Sequence, residues 1–115
     1  MFILEEQSEI PVTAEVDVLV IGSGPAGVSA AVTAGREGMS TMLIEQAGDV
    51  GGIATVGLMS HWTGDTKGGI YEEILQRSSD EPDNKEKRII INPEKLKTVL
   101  LEMLDEAGVK VLLYT

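Results

Sequence analysis

Between Val16 and Gly27 the chain reads VDVLVIGSGPAG, an aliphatic run that passes straight into a turn with three glycines. Val18, Leu19, Val20 and Ile21 are apolar without alternation, the pattern of a strand covered on both faces, usually in a parallel sheet. Asp17 breaks the run near its start, where solvent is within reach. The next segment, PAGVSAAVTAGREG, reads as a helix of small residues, with Pro25 in its first turn and Gly38 as its stop. Gly35 lowers its intrinsic helicity by about 1 kcal/mol relative to Ala, so packing must hold it. Gly22, Gly24 and Gly27 therefore form G-x-G-x-x-G with a strand before and a helix after. In that setting Gly22 makes the tight turn, Gly24 lets a pyrophosphate approach the backbone, and Gly27 lets the helix pack on the strand. Free N–H groups and the positive end of the helix dipole would face the phosphates. The bland alternative is a packing turn with no ligand.

A second strand, Thr41 to Glu45, closes a βαβ unit. Glu45 ends it, 23 residues after Gly22, within the expected reach of an adenosine ribose whose two hydroxyls a carboxylate can accept. A 2′-phosphate would be repelled there, and Gln46-Ala47 offers no cation for one. The competing reading of Glu45 is a solvated acid at a strand end. The following stretch, 47–69, holds seven glycines and reads as a loop-rich excursion with one helical turn around Ala54 to Met59. In it Gly51 and Gly52 would let a narrow loop pass beside a long cofactor, and the Thr55 hydroxyl could reach towards it; a plain surface loop is the alternative.

The remaining chain continues the same architecture. Ile70, Tyr71, Ile74 and Leu75 share one face of a short helix, and SSDEPDNKEKR, residues 78–88, reads as an exposed connection. Asn92 is a good N-cap, Pro93 fits the first helical position and Glu94 suits the first turn. Leu96, Val99, Leu100, Met103, Leu104 and Ala107 form one apolar stripe, Gly108 ends the helix, and VKVLLYT is a third strand. The fold class is α/β, a Rossmann-like fold that 115 residues leave incomplete. Residues 1–15 form an N-terminal arm with Phe2, Ile3 and Leu4 against the domain, and 16–115 the partial nucleotide-binding domain.

Composition narrows the partners. Nineteen acids against nine bases give a formal charge of -10, which repels phosphate backbones over long range. Phe2, Trp62, Tyr71 and Tyr114 are the only aromatics, too few for a base-stacking surface. Nucleic acid is not expected as a partner on either count. A dinucleotide stays open, since backbone amides bind phosphate without Lys or Arg. Without cysteine there are no disulfides or thiol redox chemistry. No apolar run reaches 18 residues and the N-terminus turns acidic at Glu5, so neither a membrane span nor a secretory signal is expected, and a cytoplasmic protein is the default.

Three pieces, DVLVIGSGPAGVSAAVTAGREG, LIEQAGDVGGIATVG and INPEKLKTVLLEMLDEAGVKVLLYT, together resemble the N-terminal segment of the FAD-dependent oxidoreductase family, in the glutathione-reductase-like flavoprotein class. The resemblance covers most of residues 17–115. It implies FAD with its pyrophosphate over Gly22, Ser23, Gly24, Pro25, Ala26 and Gly27, and its adenosine ribose on Glu45 beside Gln46. Gly51, Gly52 and Thr55 would line the inner cofactor channel, and the backbone of Val111 would meet the adenine. Ser23 stands at an x position, expected to face the surface, where the family often has glycine. Gln46 stands where a basic residue is frequent.

The resemblance also implies an FAD-binding segment of a flavin-dependent oxidoreductase that exchanges electrons with a small-molecule donor or acceptor. Further strands, a substrate domain and a late glycine-acid segment belong to such enzymes and are missing here, so this chain alone is not expected to be active. Either the sequence is a piece of a longer protein that carries the rest, or it is one part of a split protein, with a homo-oligomer or a complementary subunit completing the site. The alternative is a noncatalytic flavin- or adenine-nucleotide-binding subunit. No catalytic residue is assigned: His61, the only histidine, carries an imidazole of the kind used in proton transfer but reads more readily as an ordinary loop residue beside Trp62. Asp65 and Lys67 read as solvated charges. No metal site is expected, because His61 has no second histidine or cysteine to join it.

Overall fold

The computed structural model describes residues 9–59, 61–63, 66–80 and 88–115. The expected docking of Phe2, Ile3 and Leu4 lies outside the described residues, and residues 9–15 are exposed without helix or strand. In chain order the elements are β1 (Val18–Ile21), α1 (Pro25–Arg36), β2 (Thr41–Ile44), a 3-10 turn at Gly52–Ala54, β3 (His61–Thr63), α2 (Gly69–Ser78), β4 (Arg88–Ile90), α3 (Pro93–Glu106) and β5 (Lys110–Leu112).

β1, β2 and β5 form a parallel sheet in the order β1-β2-β5. Parallel neighbours need a crossover, and α1 supplies it between β1 and β2. Val20, Leu43 and Val111 are register mates across the three strands. They pack into one core with Val28, Ala31 and Val32 of α1 and Leu96, Leu100, Met103 and Leu104 of α3. The expected apolar stripe of α3 is buried from Leu96 to Leu104. Gly35 finds its reason here: a Cβ on it would run into the carbonyl oxygen of Ala107, so α1 crosses the end of α3 only with no side chain at that point.

The other face of the sheet carries Leu19, Met42 and Lys110 in one row and Ile21, Ile44 and Leu112 in the next. Leu19 and Ile21 are 53% and 77% exposed, so the two-sided covering read from the β1 sequence holds on one face only among the described residues.

The excursion and the later connection together differ in three respects from their reading as loop. The helical turn of the excursion is a 3-10 turn at Gly52–Ala54, earlier than the expected 54–59. β3 and β4 pair antiparallel, with Trp62 opposite Ile89, a ribbon that two three-residue strands do not announce by periodicity. The exposed connection also begins later than residue 78. Ser78 closes α2 and Ser79 bridges to Ile91; both are buried, and Ser78 Oγ donates to the Ile74 carbonyl at 2.5 Å. Residues 81–87 of that connection lie outside the described residues. Tyr71 of α2 stacks on Trp62 with ring centroids 5.8 Å apart, tying the ribbon to the helix. Arg36 grips Glu73 with two hydrogen bonds of 2.6 and 2.8 Å, and Arg77 reaches both Glu73 and Glu106, linking α1, α2 and α3 at the surface. Exposed pairs of this kind contribute about 1 kcal/mol or less each.

Candidate functional site

The turn between β1 and α1 divides its three glycines between two tasks. Gly22 has φ +92°, where a side chain would be strained, and its N–H donates to the Ile44 carbonyl at 2.8 Å, fastening the turn to β2. A Cβ on Gly27 would run into the Gly22 carbonyl oxygen, so the close seat of α1 on β1 requires glycine there. Gly24 is different. Its φ of -60° suits any residue and a Cβ would meet nothing within 4 Å, so the fold itself makes no demand for glycine. The space over Gly24 is open, and it opens onto a helix start with no side-chain cap and no acidic residue in the first turn. Pro25 and Ala26 are exposed at the same helix start. Such an N-terminus carries partial positive charge and N–H donors suited to an anion.

Glu45 follows the last residue of β2, and its carboxylate is turned back onto this turn. Its Oε2 accepts from the Ser23 amide at 2.7 Å and from the Ser23 hydroxyl at 2.6 Å, while Oε1 accepts from the Ala47 amide at 2.8 Å. Ser23 is therefore not surface-facing, as its x position suggested: it is 0% exposed. The glycines on either side carry the turn over it and leave its side chain directed at β2's end. The Ser23 hydroxyl is the main influence holding the Glu45 carboxyl below the usual carboxylate range, followed by the Ala47 and Ser23 amides, with burial opposing them. A depressed carboxyl contributes stability that is present above its unfolded range and lost as pH falls through its folded value. Gln46 is exposed.

The second glycine cluster braces the first. Gly51 N–H donates to the Ser23 carbonyl at 2.8 Å, and a Cβ on Gly52 would lie 3.1 Å from the Gly24 Cα. The Thr55 hydroxyl is engaged within its own loop. The residue is fully buried, and its hydroxyl donates back to the Val50 carbonyl, locking the 50–55 loop. A buried hydroxyl needs such a partner, and the nearest lies in its own loop.

Val111 sits in mid-strand opposite Leu43 with its side chain on the core. The backbone beside Glu45 comes instead from the residues after it: Glu45 N–H donates to the Leu112 carbonyl at 2.8 Å, Thr115 N–H to the Glu45 carbonyl at 3.0 Å, and Tyr114 N–H to the Ala47 carbonyl at 3.2 Å. Tyr114 has φ +56°, its side chain is 82% exposed, and its hydroxyl lies where a Cβ on Gly48 would be. Sequence reasoning missed these residues; the one signal available was an aromatic just past an aliphatic strand. His61 is carried by β3, the element after the Gly52–Ala54 turn, opposite Ile90. Lys67 is exposed, and Asp65 lies outside the described residues. Among the described residues no three His, Asp or Glu side chains form a group that could hold a metal, and no helix is long and apolar enough to cross a membrane.

The profile of the FAD dependent oxidoreductase family matches residues 17–115. The 3-oxosteroid 1-dehydrogenase of Mycolicibacterium smegmatis is 36% identical over 97 residues, 75% of this chain and 16% of that enzyme. The digeranylgeranylglycerophospholipid reductase of Picrophilus torridus is 63% identical over 35 residues, 30% of this chain and 9% of that protein. The chain thus spans under a fifth of these relatives. In fold it is similar to THI4 of Thermovibrio ammonificans, with a TM-score of 0.65 at 19% identity over 85% of this chain and 38% of that one. It is also similar to a geranylgeranyl bacteriochlorophyll reductase-like protein of Thermoplasma acidophilum, with a TM-score of 0.57 at 21% identity over 86% and 30% of the two chains. A strand, glycine turn and uncapped helix with an acid at the end of the next strand, matched by one family profile through nearly the whole described domain, leave one assignment: the chain belongs to the FAD dependent oxidoreductase family and is an FAD-binding segment.

Proposed function

We propose that this segment grips the ADP half of FAD. The pyrophosphate lies over Gly24 against the first turn of α1, with Gly22, Ser23, Pro25, Ala26 and Gly27 shaping the turn, and the adenosine ribose meets Glu45. Gly51 and Gly52 hold the turn in shape from behind, with Thr55 acting through the loop it locks. The backbone of β5 around Val111 and the residues after it borders the adenine, and Gln46 lies at the rim. The observation that carries this reading is the open space at Gly24 in front of a helix start that has no cap of its own.

When bound, the flavin supplies hydride or electron acceptance. The residues of this chain bind and orient; none is assigned a proton-transfer role. The whole protein would exchange electrons with a small-molecule donor or acceptor, in the cytoplasm, with the rest of the site supplied by further residues of the same protein, a second copy or a complementary polypeptide. Titration of the chain with FAD, followed by flavin fluorescence and sedimentation with ADP and NAD as competitors, tests it. Saturable binding that ADP displaces is the expected result. A folded chain that neither FAD nor ADP saturates would overturn the reading. Tight ADP binding without flavin retention would favour a noncatalytic adenine-nucleotide-binding subunit.

A further inference from the structure

The Ser23 hydroxyl occupies an acceptor position that a ribose needs. An ionised carboxylate has about four acceptor positions, two on each oxygen. In Glu45 both positions on Oε2 are taken, by the Ser23 amide and the Ser23 hydroxyl, and one on Oε1 is taken by the Ala47 amide. At most one remains. A ribose 2′,3′-diol presents two donors. One amide per oxygen suffices to hold the carboxylate in place, so the hydroxyl is the donor that is surplus to positioning and the one able to rotate away.

We propose that Ser23 is a specificity-determining residue of the nucleotide site: its hydroxyl competes with the ribose diol for Glu45, so that full chelation of the diol requires the Ser23–Glu45 hydrogen bond to break. This rests on the reading of Glu45 as the ribose ligand. The consequence is selectivity with a built-in cost. A nucleotide with one ribose hydroxyl binds without disturbing Ser23, whereas one with both must displace it, which narrows the advantage of a ribonucleotide over its deoxy analogues. Burial makes the competition real, because Ser23 is fully enclosed and its hydroxyl has no water to turn to when it is released.

The test compares Ser23→Ala with the unaltered chain, using ADP, 2′-deoxy-ADP and 3′-deoxy-ADP as probes in calorimetric titrations. Removing a single competing hydrogen bond should tighten ADP about three- to tenfold. The two deoxy nucleotides should move by less than about twofold, since neither needs the freed position. Equal affinities for ADP in the two proteins, or weaker binding in the variant, would overturn the proposal; weaker binding would make the hydroxyl a ligand contact. Ser23→Gly serves the same comparison, and circular dichroism confirms that each variant is folded. A second readout is the Glu45 carboxyl carbon resonance titrated in the free chain. Its apparent pKa should rise in Ser23→Ala, and an unchanged value would remove the premise that the hydroxyl is bound to the carboxylate. If ADP fails to bind the unaltered chain while the carboxyl pKa responds as expected, the ribose assignment of Glu45 fails and the proposal falls with it. If ADP binds and the three nucleotides respond alike, only the competition fails.

Discussion

α1 and α3 start in nearly the same way and end up with opposite chemistry. Both place a proline in the first turn, Pro25 and Pro93. At α3 the Asn92 side chain accepts from the Glu94 and Lys95 amides at 2.9 and 3.4 Å, and Glu94 adds negative charge to the positive end of the helix. At α1 the equivalent position is Gly24, no side chain caps the helix, and the first turn has no acid. A glycine at this position gives up only about a few tenths of a kcal/mol relative to a capping side chain, so α1 forgoes a small stability that α3 keeps. Burial of Val28, Ala31 and Val32 holds α1 in place without it. One helix start is satisfied by its own sequence. The other has neither a side-chain cap nor an acid of its own.

The largest effects should separate the glycines of the α1 turn from one another. Gly24→Val fills open space at an ordinary φ, so the fold should survive. Nucleotide affinity should fall a hundredfold or more, about 2.7 kcal/mol, by calorimetric titration with ADP. Gly27→Ala should do the reverse in kind. Its methyl would drive into the Gly22 carbonyl, so the urea midpoint should drop, by about 1–3 kcal/mol of stability. If Gly24→Val unfolds the chain, or if it binds ADP as before, the division of labour between these two glycines is wrong.

That division was only half legible in the sequence. The G-x-G-x-x-G spacing between strand and helix named Gly22, Gly24 and Gly27 because local pattern alone specifies them. Asn92, Pro93 and the Leu96–Leu104 stripe were legible for the same reason, since caps and helical periodicity are local. Ser23 was misjudged because an x position between glycines carries no periodic signal. Its burial depends on the Glu45 carboxylate arriving from β2, 22 positions away. The hydrogen bond of Thr55 was illegible for a related reason: its acceptor, the Val50 carbonyl, faces the hydroxyl only once the 50–55 loop has closed. β3 and β4 escaped notice because three residues hold too little alternation to count, and their pairing joins segments far apart in sequence.

A smaller effect tests the other side of the comparison. Asn92→Ala should cost α3 about 1 kcal/mol, seen as a lowered urea midpoint, through loss of the cap on the Glu94 and Lys95 amides. ADP affinity, referred to the folded fraction, should not change. A drop in affinity as large as that of Gly24→Val would mean that α3's start, not α1's, is where the anion is held.

The smallest effect is the most discriminating, because stability and binding should move in opposite directions. Ala26→Glu gives α1 the acid in its first turn that Glu94 gives α3. Ala26 is exposed, so the longer side chain displaces no packing. The added charge beside the positive end of the helix should stabilise the folded chain by about 0.3–1 kcal/mol at low ionic strength, and added salt should erode the gain. The same charge lies beside the proposed pyrophosphate, which carries negative charge of its own, so ADP should bind more weakly, and most visibly at low salt. Adenosine, which has a ribose but no phosphate, should be indifferent to the substitution. Greater stability with ADP affinity unchanged would mean that the phosphates do not sit at the start of α1. Weaker binding of ADP and adenosine alike would mean that the glutamate perturbs the turn rather than repelling an anion. Only the pairing of a stabilised helix with a selective loss of the phosphorylated ligand follows from a helix start left uncapped for a phosphate.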